Sequence, residues 1–222
     1  MSSSTDRIQS ELDQKRFSDL WESKSIHFNP EHCGLVFDQL SSLYRGDGRF
    51  YHSEGHINQC LLKLDEATSV QGSQPDVEMA TWFHDAIYNA GSPDNEKNSA
   101  LWFQNKARDH LNKNTVAEVS NLITITEHRN QPVSELEKLM VDVDLSSFSL
   151  PYEEFIRDGR NIRKEFHAYS DDEFVEGQRK FLNSLLDRSS IFSTDYFYRR
   201  YEKSARENIE QLLTMYDQGF RP

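Results

Sequence analysis

The chain has 222 residues, a formal net charge of −12 and 28% charged residues, with a mean hydropathy of −0.77. Such an acidic, polar chain is a poor general ligand for nucleic acid or for an anionic membrane, and no apolar run approaches the roughly 20 residues that span a bilayer. The N-terminal stretch MSSSTDRIQSELDQ lacks a basic-then-apolar leader pattern, and Cys33 and Cys60 belong to no disulfide framework, so the expectation is a cytoplasmic protein with reduced thiols.

Residues 1–5 read as a flexible start. From Asp6 to about Ser23, Ile8, Leu12, Phe17, Leu20 and Trp21 recur at helical spacing. Asn29-Pro30 is a helix-start signal for a helix to about Tyr44, broken by Gly46-Asp47-Gly48. In the next segment, Arg49 to Ala67, Ile57, Leu61 and Leu64 share a face; His52 and His56 would share one too if the helix already included His52, which Gly55 leaves open. Pro75 opens a strongly apolar stretch, with Met79, Ala80, Trp82, Phe83, Ala86 and Ile87 around His84-Asp85, read as a buried helix to about Asn89. Asp94 or Asn95 caps a further helix to about His110, with Glu96 in its first turn. Thr115 starts another, ending near Thr126-Glu127-His128, and Pro132-Val133-Ser134 restarts the chain into an apolar helix carrying Asp142-Val143-Asp144.

Pro151 begins a long helix to about His167, on which Arg160 and Lys164 share a face with Arg163 near it: a solvated basic stripe or a phosphate clamp. Asp171 and Asp172 cap a helix to Asp187. Phe192, Tyr196, Phe197, Tyr198 and Tyr201 then pack the last helix, to about Gln218, onto the core or form an interface. Strand alternation is absent, and there is no repeat or linker. One all-α domain over 1–222 is expected, a bundle of roughly eight to ten helices.

Four residues in apolar helices stand apart: His56, His84, Asp85 and Asp144. An imidazole or carboxylate in such surroundings must be satisfied. Two of each make a mixed N/O set that suits Mn²⁺, Fe²⁺, Zn²⁺ or Mg²⁺ with positions left for water and substrate, and the lack of thiolates argues against a closed structural zinc site.

The order His, His-Asp, distant Asp resembles the HD superfamily of metal-dependent phosphohydrolases. The resemblance extends over residues 49–209: Tyr51-His52-Ser53-Glu54-Gly55-His56-Ile57 is similar to a YHN…HI element, with Ser53 in place of Asn. Phe83-His84-Asp85-Ala86-Ile87-Tyr88 with Asp94-Asn95-Glu96 and Ser99-Ala100 resembles FHD…Y…NE..SA. Ile125-Thr126-Glu127-His128 resembles T..H, Val141 to Leu145 a DADL element, Ile162 to Phe166 an IR.EY element with Phe for Tyr, and Glu202 to Ile209 a late E..AR.N element.

The resemblance implies an HD-domain helical bundle with His56, His84, Asp85 and Asp144 as ligands of a divalent metal, Asp144 rather than Asp142. It also implies hydrolysis of a phosphate ester or nucleotide through a metal-activated water. Asp85 would orient that water. His52, His128 or Glu96 would supply a proton, and Arg163 with Arg160 or Lys164 would neutralise phosphate charge. His52 and His128 could instead join a second metal. The alternatives are a non-catalytic metal- or nucleotide-binding regulatory module, a di-iron oxygenase, and a scaffold whose His and Asp residues are core hydrogen-bond partners. The partner expected is a small phosphorylated substrate; its identity, the metal and the oligomeric state are not legible.

Overall fold

The structure is a computed structural model that describes residues 11–222, the side chains of residues 70 and 71 excepted. The flexible start and the part of the first helix expected over residues 6–10 lie outside the described residues. The described chain is all-helical: α1 (Gln14–Lys24), α2 (Pro30–Tyr44), α3 (Glu54–Gln71), α4 (Pro75–Phe83), α5 (Asn95–Ala107), α6 (Lys113–Ile125), α7 (Glu135–Asp144), a 3₁₀ turn (Leu145–Ser149), α8 (Tyr152–Glu165), α9 (Asp171–Leu186) and α10 (Asp195–Asp217). Among the described residues no strand forms beyond the isolated bridge between Ser25 and Leu111, and no helix is long and apolar enough to cross a membrane.

Local chemistry sets most helix starts. Asn29 Oδ1 accepts the His32 N–H at 3.1 Å, with Pro30 in the first turn of α2. Capping boxes pair Ser134 with Glu137 and Ser170 with Glu173. Ser170 is therefore the cap of α9, and Asp171 and Asp172, expected to cap it, lie in its first turn, where they complement the helix dipole. The helix carrying His56 begins at Glu54, so His52 precedes it and does not share its face.

Helix α4 is the axis of the fold. Its residues from Val77 to Phe83 other than Glu78 are buried, and it packs against α1, α3, α5, α6 and α7. Phe17 of α1 meets Trp82 edge-on at 5.4 Å, and Phe83 meets Phe103 of α5 at 4.9 Å. Each such ring removed from water contributes on the order of 2 kcal/mol.

The helix stops at Phe83, six residues short of the expected Asn89. Its onward backbone groups are satisfied by side chains instead. Arg49 donates to the carbonyls of Asp85 (2.7 Å) and Ala86 (2.9 Å). Ser99 Oγ serves both backbone groups of Ile87, at 3.0 and 3.2 Å. The Asn95 amide does the same for Asn89, at 2.9 and 3.0 Å. His84 and Asp85 thus sit where the chain leaves the helix, and the apolarity of Ala86 reflects a buried loop.

The C-terminal helices close one side. Buried Asp142 accepts the Ser193 and Thr194 N–H groups and the Thr194 hydroxyl at 2.6–2.8 Å, fixing the start of α10. Asn208 donates to the Phe148 and Leu150 carbonyls at 2.8 Å, holding the 3₁₀ turn against α10. Phe192 and Phe197 are fully buried and Tyr198 is exposed, so the aromatic segment is chiefly core. One contiguous apolar core runs from Leu12 to Tyr216.

Candidate metal centre and adjoining cavity

Three helix ends or starts bring four polar residues together. His56 stands in the first turn of α3, His84 and Asp85 follow α4, and Asp144 ends α7. His56 Nε2 and His84 Nε2 are 3.2 Å apart. Asp144 Oδ1 is 3.4 Å from each. Asp85 Oδ2 lies 3.1 Å from His84 Nε2 and 3.5 Å from His56 Nε2. His56, His84 and Asp85 are buried, and the Asp144 side chain is 15% exposed.

Hydrogen bonding fixes the tautomer of His84. Its Nδ1 lies 2.9 Å from the Thr81 carbonyl oxygen, which can only accept. Nδ1 therefore carries the proton, and in the neutral ring Nε2 turns a lone pair toward His56 Nε2 and the two carboxylates. Electron-rich atoms converging inside a buried site need a positive charge among them. Bonds of about 2.0–2.2 Å in tetrahedral or octahedral geometry place ligand atoms about 3.0–3.5 Å apart, which is the spacing found. His56, His84 and Asp144, whose ligand atoms all lie within 4.8 Å of one another, form a group that could hold a metal ion. A carbonyl bound to the far nitrogen of a ligating imidazole is the usual support of such a site.

The same need for positive charge shows in the electrostatics. Burial opposes ionisation of Asp85 and Asp144, but the facing imidazoles outweigh it and hold both carboxyls below the usual range. Burial likewise opposes a charged His84, and the two aspartates overcome it and raise its pKa well above the ordinary value.

Two further histidines flank the centre. His128 lies just after α6, and its Nε2 is 2.9 Å from Asp144 Oδ2. It is the sole described residue other than glycine with positive φ, +57°, and its Nδ1 is buried without a partner. His52 lies outside the group His56, His84 and Asp144. Its Nδ1 is 2.6 Å from Glu165 Oε2, and its ring stacks on Tyr88 at 3.9 Å. Glu165 Oε1 also accepts the backbone N–H groups of Phe50, Tyr51 and His52 at 2.7–2.9 Å. Burial works against its charge, but these donors, His52 foremost, hold its carboxyl below the usual range. Glu165 was quoted from the sequence only as part of a motif; its partners are mostly backbone groups over a hundred residues away, which no spacing reveals.

A cavity of about 260 Å³ adjoins the centre. Asp85, Asp144, His52, His128 and Glu96 line it, together with residues of the 3₁₀ turn, α8, α9 and α10. Burial pushes the Glu96 carboxyl up. Asp158, which the sequence did not single out, also lines the cavity and is raised by burial.

The basic stripe does not reach the cavity. Arg163 pairs with Asp171 at 2.6 Å, donates to the Phe166 and Tyr169 carbonyls and covers the Phe174 ring. Lys164 bonds Asn161 and lies over Phe50, and Arg160 is exposed. All three are absent from the cavity lining. Comparison of the chain with protein-family models, curated proteins and solved structures finds no match.

Proposed function

We propose that the chain is a metal-dependent phosphohydrolase of the HD type, with His56, His84, Asp85 and Asp144 as the ligands of one divalent cation. The observation that carries this reading is the convergence of two imidazole Nε2 atoms and two carboxylate oxygens, 3.1–3.5 Å apart, at the side of a cavity. The ordered motifs from His56 to Asp144 add the reaction class by resemblance.

A divalent cation in this centre lowers the pKa of water and polarises a phosphoryl oxygen. The chain's own groups do the rest. His52 has Nδ1 committed to Glu165, which leaves Nε2 as the ring nitrogen for proton transfer at the cavity wall. It takes a proton from the attacking water and returns it to the leaving oxygen. Glu165 and Tyr88 fix the plane of that ring. His128 holds Asp144 in place through Oδ2, leaving Oδ1 for the cation. Arg160, Arg163 and Lys164, outside the cavity lining, are left out of the proposed phosphate contacts.

The test is metal content by elemental mass spectrometry for wild type and Asp144→Ala, followed by phosphate release from ester substrates with added Mn²⁺. Bound metal and hydrolysis in wild type, both lost in Asp144→Ala, support the reading. Full hydrolysis in both His84→Ala and Asp85→Ala would overturn it, as would oxygen consumption with two irons per chain.

A further inference from the structure

Much of the cavity lining is apolar: Phe148, Phe155, Ile162, Phe181, Leu182 and Leu212. Among the described residues no lysine or arginine lines the cavity, whereas Glu96, Glu127 and Asp158 do. A phosphate placed away from the metal centre would therefore meet carboxylates and hydrocarbon without a counter-ion, a costly arrangement. The volume, about 260 Å³, lies just below the usual range of ligand sites, about 300–1,000 Å³. It accommodates one phosphoryl group and a body of about ring size.

Gly159 adds an independent observation. It lies inside α8 on the cavity wall, and a Cβ built there would meet nothing within 4 Å. Glycine inside a helix costs about 1 kcal/mol relative to alanine, and here no tight packing or positive φ requires it. A side chain at this lining position would stand in open space.

We propose that the cavity takes a phosphomonoester whose alcohol carries an apolar ring, and that it discriminates against di- and triphosphates. This deepens the phosphohydrolase reading and rests on it. In the reaction the water oxygen forms a bond to phosphorus. The ester P–O bond breaks with its electron pair on the alcohol oxygen, and a water proton neutralises that oxygen, giving inorganic phosphate and the free alcohol. Gly159 sets the width available to the ring; Asp158 and Gln178, which also line the cavity, offer hydrogen bonds to a polar substituent on it.

Two readouts on the Mn²⁺-loaded protein separate the substrate class from turnover. The first is hydrolysis of phenyl phosphate, glycerol phosphate and adenosine triphosphate. The second is calorimetric binding of phenylphosphonate and methylphosphonate, which cannot be hydrolysed as esters. Burial of a ring predicts kcat/KM for phenyl phosphate about tenfold or more above the other two, and phenylphosphonate binding about tenfold tighter than methylphosphonate. Gly159→Leu, which favours the helix, fills the space and reduces the phenyl advantage to within about threefold, while methylphosphonate binding is retained. Gln178→Lys supplies the missing cation and improves relative use of adenosine triphosphate. Preferred hydrolysis of the triphosphate by wild type, equal binding of the two phosphonates, or an undiminished phenyl advantage in Gly159→Leu overturns the proposal and leaves the hydrolase reading standing. Preferential phenylphosphonate binding with no hydrolysis of any ester supports the ligand class and sinks the hydrolase reading.

Discussion

Asp144 divides its two oxygens between two tasks: Oδ2 lies 2.9 Å from His128 Nε2, while Oδ1 faces His56 and His84 at 3.4 Å. Asp142, two residues earlier, is engaged instead with the Ser193 and Thr194 N–H groups that precede α10. Asp144→Asn should therefore lose metal with little change in melting temperature. Asp142→Ala should keep its metal but lose about 1–3 kcal/mol of stability, because three donors, two of them buried, lose their acceptor. Elemental analysis beside thermal melts checks both; metal loss confined to Asp142→Ala would reverse the assignment.

The left-handed backbone of His128 separates its two contributions. His128→Gly relieves φ +57°, where a side chain costs about 1–2 kcal/mol, and removes the support of Asp144. Its metal affinity should fall about 10–100-fold, measured by chelator competition, with a smaller drop in melting temperature than in His128→Ala. Equal affinity in wild type and His128→Gly would show that Asp144 needs no such support.

Glu165→Gln is a tautomer test. The amide oxygen can still accept the N–H groups of Phe50, Tyr51 and His52, but the amide nitrogen then faces His52 Nδ1 as a donor. That moves the neutral ring's proton to Nε2. We expect kcat to fall about 10²–10⁴-fold, the range of general acid–base catalysis, with KM and metal content nearly unchanged. The wild-type carboxylate also confers acid sensitivity. Its folded pKa is lowered, so its stabilising contribution is present above the unfolded value of about 4.3 and fades as pH falls through the folded one. The variant should lack that component in melts below pH about 4.

A second pH effect lies away from the cavity. The His32 and His110 rings stack at 3.6 Å, and burial, then the neighbouring His32, lowers the His110 pKa. The unfolded chain then takes up a proton before the folded one, so stability falls as pH drops below about 6.5. His110→Gln should narrow the gap between melting temperatures at pH 7.5 and 5.5. An unchanged gap would show that the stacked pair carries no such linkage.

The sequence carries the helical class clearly, because signals such as Asn29-Pro30 and Ser134 with Glu137 act within one turn of the residues they affect. The end of α4 is hidden for the opposite reason. Its stop depends on Arg49, Asn95 and Ser99, and local composition offered only the later Gly91 and Pro93. The group His56, His84 and Asp144, which could hold a metal ion, was legible as polar residues in apolar surroundings. The partners of the basic stripe were not legible, because a regular row of cations on α8 does not disclose that Arg163 pairs with Asp171 on the next helix.

Arg49 grips the His52 carbonyl at 3.0 Å with the same nitrogen that holds the Asp85 carbonyl at 2.7 Å, and its other terminal nitrogen takes the Ala86 carbonyl. One planar fork thus rivets the segment bearing His52 to the segment bearing the His-Asp pair. The two therefore open as a single cooperative unit rather than as independent loops. In hydrogen exchange, amides around His52 and around Ile87 should share one protection level, and Arg49→Lys, lacking the fork, should loosen both segments together.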